Sequence, residues 1–351
     1  MGVKTVKIDN KVIGINQPVF IIAEAGVNHN GNKDLALQLV RKAKECGADC
    51  VKFQTFKADQ VVTETSPKAT YQLKTTDPEE SQLEMLKKLE LQHSAYIEIF
   101  QLCKDLGILF LSTPYSIDDI DFLDNLGVSA YKVASGQIIE HHFLDYIAQK
   151  KKPIFLSTGM SNISEIDQAL RCIRNTGNND IVLLQCTTNY PSNIEDTNLR
   201  AMQTMKETFD ILVGYSDHTQ SLVPGIMTAG LGGCVVERHF TLDKSLPGPD
   251  QNNSSDPAEF AQFVKLIREA ELCLGDSIKA PSKAELLNAK GMRRSIVAKT
   301  KIQKGQKITY DNTTLKRPAN GILGNFHHML INRKASNIIL ENEIIDIGML
   351  E

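Results

Sequence analysis

The sequence predicts an α/β protein: a (β/α)8 (TIM) barrel over residues 1–280, a linker over 281–294, and a small β-rich domain over 295–351. Three observations carry this reading. Short apolar or β-branched runs alternate with longer segments of helical period, the pattern of a parallel sheet with crossover helices. The runs number eight and occupy about 275 residues, close to the ~250 usual for such a barrel. After Asp276 the alternation stops.

Taken in order, the predicted strands are VFIIAEAG (19–26), DCVKFQTF (49–56), ILFLSTP (108–114), AYKVASG (130–136), PIFLSTG (153–159), IVLLQCT (181–187), ILVGYSDH (211–218) and CVVERHF (234–240). Helical segments lie between them, and those ending at Gly47, Gly107, Gly127 and Gly177 stop at a residue suited to a left-handed C-cap. The connection from Lys57 to about Gln92 is too long for a simple loop and predicts a lid or substrate-binding excursion. In the C-terminal part, SIVAKTKI, KITYDNTTLK and NIILENEIIDIG read as short β pieces broken by Lys-Gly, Asn-Gly and Glu-Asn turns.

Lys and Arg total 39 against 42 for Asp and Glu, with no basic stripe, which argues against a nucleic-acid partner. The N-terminus lacks the apolar centre of a signal peptide, and no run of about 18 apolar residues occurs, so no membrane association is expected. Seven cysteines without a C-x-x-C pair point to structural thiols in a reduced, cytoplasmic protein.

The chemistry gathers at the predicted strand ends, where a barrel of this kind keeps its active site. Glu24 and the Asn28-His29-Asn30-Gly31 turn follow the first strand; Lys52 and Gln54 lie on the second, and Ser112 and Thr113 on the third. Lys132 and Ser135 follow on the fourth, Ser157 to Gly159 on the fifth, and Thr187, Thr188, Asn189 and Tyr190 on the sixth. Ser216-Asp217-His218 and Glu237-Arg238-His239 end the last two. A single polar strand end is readily a solvated edge; eight in register with one mouth are not. Two lysines with several hydroxyls suit an anionic, phosphate-bearing substrate. His218 and His239, on adjacent strands, can hold a divalent metal in an open site, and imidazole with water suits Mn, Zn, Fe or Co. His29 is a weaker site candidate, His93 reads as structural, and the pairs His141-His142 and His327-His328 read as surface residues. Two other functions remain open at this level: a Schiff-base aldolase using Lys132, and a carbohydrate- or ice-binding protein with no catalysis.

These motifs resemble the sialic acid synthase family, the phosphoenolpyruvate-condensing nonulosonate synthases. IIAEAGVNHNG, VKFQTF, FLSTPYS, YKVASG, FLSTGM, GYSDHT, VERHFTLDKSLPGPD and LKRPANGI occur in the family's order over essentially the whole chain. The resemblance implies an antifreeze-like (SAF) C-terminal domain and condensation of phosphoenolpyruvate with the open-chain aldehyde of an N-acetylated mannose-type sugar, giving a nine-carbon 2-keto acid and phosphate. It implies that Lys52, Thr113, Lys132, Ser135, Ser157 and Ser216 surround phosphoenolpyruvate and that Glu24 orients the aldehyde or manages a proton. Gln54, Tyr71, Tyr190 and Asp250 are placed against the substrate, with Thr188 and Asn189 sharing one weaker position. His218 and His239 would bind the metal, with Mn2+ ahead of Mg2+ or Co2+. Gln137 stands where the family usually has an acid, so it can orient a neighbour but not take its proton. Arg317, in LKRPANGI, is expected to reach a partner's site in a homodimer. The flanking motifs lean toward 2,4-diacetamido-2,4,6-trideoxymannose over N-acetylmannosamine as the sugar.

Overall fold

The computed structural model describes residues 4–351, which divide between Gly275 and Asp276 into two compact units. In the first unit a hairpin, β1 (Thr5–Ile8) and β2 (Lys11–Gly14), precedes eight parallel strands: β3 (Phe20–Gly26), β4 (Cys50–Thr55), β5 (Leu109–Pro114), β6 (Tyr131–Val133), β7 (Ile154–Ser157), β8 (Ile181–Cys186), β9 (Leu212–Asp217) and β10 (Val235–His239). They hydrogen-bond in the order β5-β4-β3-β10-β9-β8-β7-β6, and β5 lies beside β6, so the sheet curls into a barrel. All eight predicted strands are present.

The crossover helices are α1 (Lys33–Glu45), α5 (His93–Leu106), α6 (Ile117–Leu126), α7 (His141–Gln149), α8 (Ile163–Asn175), α9 (Arg200–Phe209), α10 (Val223–Gly230) and α11 (Pro257–Leu274). Their ends follow local chemistry. The Asn32 side chain accepts from the Asp34 and Leu35 amides at 2.8 and 3.1 Å and so starts α1; Gly107 and Gly127, both at positive φ, stop α5 and α6. Three short helices, α2 (Ala58–Val61), α3 (Gln72–Thr75) and α4 (Gln82–Leu89), give the long second connection a built shape.

Two apolar layers follow from the two-residue period of a strand. Outward residues such as Ile21, Val51, Phe53 and Val213 pack against the helices. Inward residues such as Ile22, Leu111, Phe155 and Leu184 fill the barrel, and Val6, Ile8 and Ile13 of the hairpin join them. The hairpin therefore plugs the barrel floor, a role that sequence reading did not assign; its Asp9-Asn10 turn, with Asp9 at φ 50°, was the available signal. The plug is also fastened electrostatically. Asp49 accepts from the Ile21 amide at 3.0 Å, pairs with Lys11 at 2.9 Å, and meets Arg268 of α11 at 3.0 Å.

In the second unit, β11 (Ser295–Ala298) pairs antiparallel with β12 (Thr313–Lys316), and Ile296, Ile302, Ile308, Ile339 and Ile345 form its core. The segment 281–294, expected to be a linker, contains helix α12 (Lys283–Met292) and is grouped with this unit, which runs from Asp276 to Glu351. Among the described residues no helix is long and apolar enough to cross a membrane.

One outward-facing pair ties the catalytic ends of two strands together. Arg238 Nη1 meets Asp217 Oδ2 at 2.6 Å, its Nε donates to Ser255 Oγ at 2.6 Å, and its guanidinium lies over Phe263 at 5.3 Å. Both side chains are buried, so removing one partner strands the other charge. Arg238→Ala should lower unfolding stability by about 3–5 kcal/mol, read as a fall in the urea midpoint, whereas Arg238→Met with Asp217→Asn should recover part of that loss.

Candidate active site

The alternation that sends Arg238 outward sends its neighbours Glu237 and His239 into the barrel mouth. The same rule places Lys52 and Gln54 inward with Phe53 between them on the helix side, and Ser216 and His218 inward with Asp217 outside. Register then sets them at common levels. Glu24 pairs with Lys52 on one side and His239 on the other; Glu237 pairs with Ser216, and Gln54 with Thr113. The result is a cavity of about 580 Å³ lined by residues from every barrel strand.

Glu237 is the centre of this cavity. Its Oε1 lies 3.3 Å from Lys52 Nζ and 3.5 Å from Lys132 Nζ, and accepts from Ser216 Oγ at 3.1 Å. Lys52 also meets Glu24 Oε2 at 3.1 Å and donates to Thr113 Oγ1 at 3.3 Å; Glu24 in turn accepts from Gln54 Nε2 at 3.1 Å. All four charged groups are buried, between 1 and 4 % exposed. Burial alone would push both carboxyls up. Lys132 and Lys52 overcome it at Glu237 and hold that group well below the usual carboxylate range, while Glu24 is raised by burial and by Glu237 against the pull of Lys52. Lys52 is raised, because Glu237 and Glu24 outweigh its burial; Lys132 is lowered by burial and by Lys52.

Hydroxyls and backbone complete the wall beside the lysines. Ser135 Oγ accepts from the Gly159 amide at 3.0 Å, and Ser157 Oγ is buried without a partner. A Cβ on Gly159 would stand 2.2 Å from Thr188 Oγ1 and 2.8 Å from Ser135 Oγ, so only glycine fits there. Gln137 also lines the cavity; its Oε1 accepts from the Ala134 amide at 3.4 Å and its Nε2 is buried and unpartnered.

The opposite wall is aromatic. Tyr190 stacks between Tyr71 at 4.9 Å and His218 at 4.1 Å, and the His218 and His239 rings are 5.4 Å apart. His218 Nδ1 donates to the Thr187 carbonyl at 2.8 Å, which fixes that ring. The His239 imidazole is held neutral by burial, by His218 and by Lys52, and its Nδ1 is buried without a hydrogen bond. A neutral ring with an unpartnered nitrogen, beside a second, fixed imidazole, fits a cation held by two protein nitrogens. Among the described residues no group of three or more His, Cys, Asp or Glu side chains forms a fuller cage. Asp250 lies 3.9 Å from His239 Nδ1, and burial together with Glu24 raises its carboxyl to about 6.

Most of the expected residues therefore meet in one place, with Asp250 on the wall of an adjoining chamber. Asn189 does not: its side chain is exposed and outside the cavity, because the turn after β8 carries Thr188 inward and Asn189 away. Arg317 lies in the second unit, exposed, with Nε donating to the Met292 carbonyl at 3.1 Å. His29 is buried behind Phe53, accepts from the Gly31 amide at 3.0 Å, is pushed down to about 4 by burial, and does not line the cavity. His141, His142 and His328 are exposed, whereas His327 is half-buried and lies 2.7 Å from Thr313 Oγ1. Among the lining residues that were not expected as site residues, Glu237, Tyr115 and Cys186 lie closest to the chemistry of the expected ones. The first two stand two residues from His239 and Thr113, so strand period was the signal for both. Cys186 stands two residues after the inward Leu184, so the same period applies, and its thiol lies 3.8 Å from His218 Nδ1.

Known proteins agree with this assembly. The pattern of the NeuB family matches residues 39–279 and that of the SAF domain residues 293–351. The N,N'-diacetyllegionaminic acid synthase of Campylobacter jejuni is 44% identical over 93% of this chain and 98% of its own length, and that of Legionella pneumophila is 46% identical over 88% of each. A crystal structure of the N-acetylneuraminic acid (sialic acid) synthetase of Leptospira borgpetersenii, in complex with citrate, superposes with a TM-score of 0.73 at 29% identity, covering 82% of this chain and 95% of that one. With the family pattern spanning nearly the whole barrel and relatives of this identity matched almost end to end, the chain belongs to the NeuB family.

Proposed function

We propose that this protein is a synthase that condenses phosphoenolpyruvate with an N-acetylated mannose-type sugar, releasing phosphate and a nine-carbon nonulosonic acid. The observation that carries the reading is the buried Lys52-Glu237-Lys132 arrangement, flanked by Ser135, Ser157, Ser216 and Thr113: two ammonium groups and several hydroxyls for an anion, with Glu24 beside them for the aldehyde. The relatives named for legionaminic acid support 2,4-diacetamido-2,4,6-trideoxymannose as the sugar, ahead of N-acetylmannosamine.

In the reaction, C3 of phosphoenolpyruvate bonds to the sugar's C1 as the aldehyde oxygen takes a proton. Water adds to C2, and the tetrahedral centre expels phosphate by breaking the carbon–oxygen bond to leave the 2-keto acid. Lys52 and Lys132 hold the anion before and after that break, and the hydroxyls fix its orientation. Glu24, raised by burial, sits where it can hold or move the proton at the aldehyde oxygen. Gln137 can orient the water or a sugar hydroxyl through its unpartnered Nε2 but takes no proton. His218 and His239 would hold a divalent ion, Mn2+ ahead of Mg2+ or Co2+, which supplies Lewis-acid polarisation of a bound oxygen. The proposed working unit is a homodimer in which Arg317 of the partner subunit supplements each barrel's sugar site.

Three outcomes test this reading. Phosphoenolpyruvate labelled with oxygen-18 in the bridging position should give labelled phosphate by mass spectrometry; label retained in the keto acid overturns the scheme. Chelation should abolish turnover and Mn2+ restore it, while His239→Ala should bind less metal by elemental analysis and stay inactive under the same restoration; full activity without metal removes the ion from the mechanism. Arg317→Ala should cost roughly ten- to a hundredfold in kcat/KM for the sugar, the value of ~1.5–3 kcal/mol for a charged hydrogen bond. Mixed dimers of Arg317→Ala with Lys132→Ala should regain activity, and mixed dimers that form but stay inactive exclude the crossing.

A further inference from the structure

A second chamber of about 210 Å³ opens beside the main cavity, beneath the excursion from β4 to α5. The two share eight lining residues, Gln54, Tyr71, Tyr190 and His239 among them, so a molecule lying in one can extend into the other. Their charge and one flank differ. The main cavity carries Glu24, Lys52, Lys132 and Glu237, whereas among the described residues the chamber's one carboxylate is Asp250 and one flank of it is apolar, formed by Phe56, Val62, Met85, Leu86 and Leu89. These residues do not belong to the barrel core: Val27, Phe56 and Leu89 form an apolar cluster of their own, with Val61 and Leu86 packed against it. Val61, Val62 and Leu86 are only half-buried, which leaves apolar surface that a further group could cover.

The excursion that roofs the chamber is built rather than loose. Lys68 Nζ bonds Thr76 Oγ1 at 3.0 Å, the Asp77 carbonyl at 2.6 Å and Glu80 Oε1 at 3.0 Å, and a Ser81–Glu84 capping box starts α4. Thr75 Oγ1 donates to the Pro249 carbonyl at 3.2 Å, which ties the roof to the segment that carries Asp250 into the chamber wall. Shape and polarity are therefore set before a substrate arrives.

Of the two substrates in the proposed reaction, phosphoenolpyruvate has no apolar end to spare: its carboxylate and phosphate belong with the lysines and its methylene must reach the aldehyde. The occupant must come from the sugar. Set against the Phe56, Val62 and Leu86 flank, a hydroxyl would lose its water partners and gain none, whereas a methyl would bury apolar area on both sides. We propose that the chamber is a specificity subsite for a methyl-terminated group of the sugar, and that Val62 and Leu86 set the preference. The group is either the C6 methyl of a deoxy sugar or the methyl of an acetamido substituent at C4, neither of which N-acetylmannosamine has; Asp250 and Gln54 remain available to the polar atoms next to it. The inference rests on the condensation proposed above.

The test uses the full-length protein and three sugars: N-acetylmannosamine, its 6-deoxy analogue, and 2,4-diacetamido-2,4,6-trideoxymannose. Phosphate release from phosphoenolpyruvate gives kcat/KM for each with the unaltered protein, Leu86→Asn and Val62→Thr. A methyl-sized difference in an apolar site is worth ~10–200-fold, so the unaltered protein should prefer at least one methyl-bearing sugar by that factor. In the variants the preference should shrink about tenfold, while the value for N-acetylmannosamine changes by less than about threefold. The first pair of sugars reports the C6 methyl and the second the acyl methyl, so the step whose preference collapses names the group. Val62→Thr keeps the shape of the side chain, and an unchanged unfolding temperature separates specificity from damage to the fold. Preferences that survive in both variants, or no preference in the unaltered protein, overturn the subsite. No phosphate release with any of the sugars would overturn the reaction itself, and the subsite with it.

Discussion

Glu237 sits between two lysines in a place where neither it nor they could stay charged alone. Each buried ion costs several kcal/mol in lost hydration, and here the cost is offset because Lys52 meets Glu24 at 3.1 Å and Glu237 at 3.3 Å while Lys132 meets Glu237 at 3.5 Å. Remove that carboxylate and two cations face each other across the mouth with Glu24 alone to balance them. The cluster therefore keeps Lys52 charged and in position, and an arriving anion competes with Glu237 for ammonium groups that are already aimed. Glu24 experiences the same field with the opposite result, since Glu237 helps to raise it. One group thus prepares both a site for an anion and a carboxyl suited to carrying a proton.

Everything else at the mouth is arranged so that this cluster can exist. The outward Arg238–Asp217 pair fixes the ends of β9 and β10 from behind, leaving Ser216, His218, Glu237 and His239 on the inner face. The bulge between Glu24 and Gly26 turns the end of β3, and Gly26 at φ 51° lies where a Cβ would stand 3.2 Å from the Glu24 carboxylate. Structural ionisable groups and chemical ones alternate along a single strand.

That alternation decides how much could be read beforehand. The eight strands were legible because a parallel strand buried on both faces is an uninterrupted apolar run, and their ends gave nearly all the cavity's residues. Glu237 was seen as a strand-end residue but not singled out, because three ionisable groups in a row do not say which face each takes until a neighbouring residue fixes the phase. His239 was that residue. Asn189 was misplaced for a related reason: after β8 the chain leaves the strand, and a turn has no period to extrapolate. The plug and the three helices over the second chamber were missed because short segments owe their form to what they pack on, which lies far away in sequence.

The floor plug has a consequence for how the chain is made. The socket of Val6, Ile8 and Ile13 is complete only when Cys234 and Val235, its last wall, have been synthesised. At ~5–20 residues per second, those roughly 230 residues take about 10 to 45 s. The hairpin, made ahead of the whole barrel, is thus among the last elements to find its place, and its apolar face stays exposed in the interval. Lysines and acids interleaved with those side chains, Lys4, Lys7, Asp9 and Lys11, keep that waiting segment soluble. On the finished floor Lys4 and Lys11 are taken up by Asp210 and Asp49, so charges that serve the nascent chain also fasten the folded one.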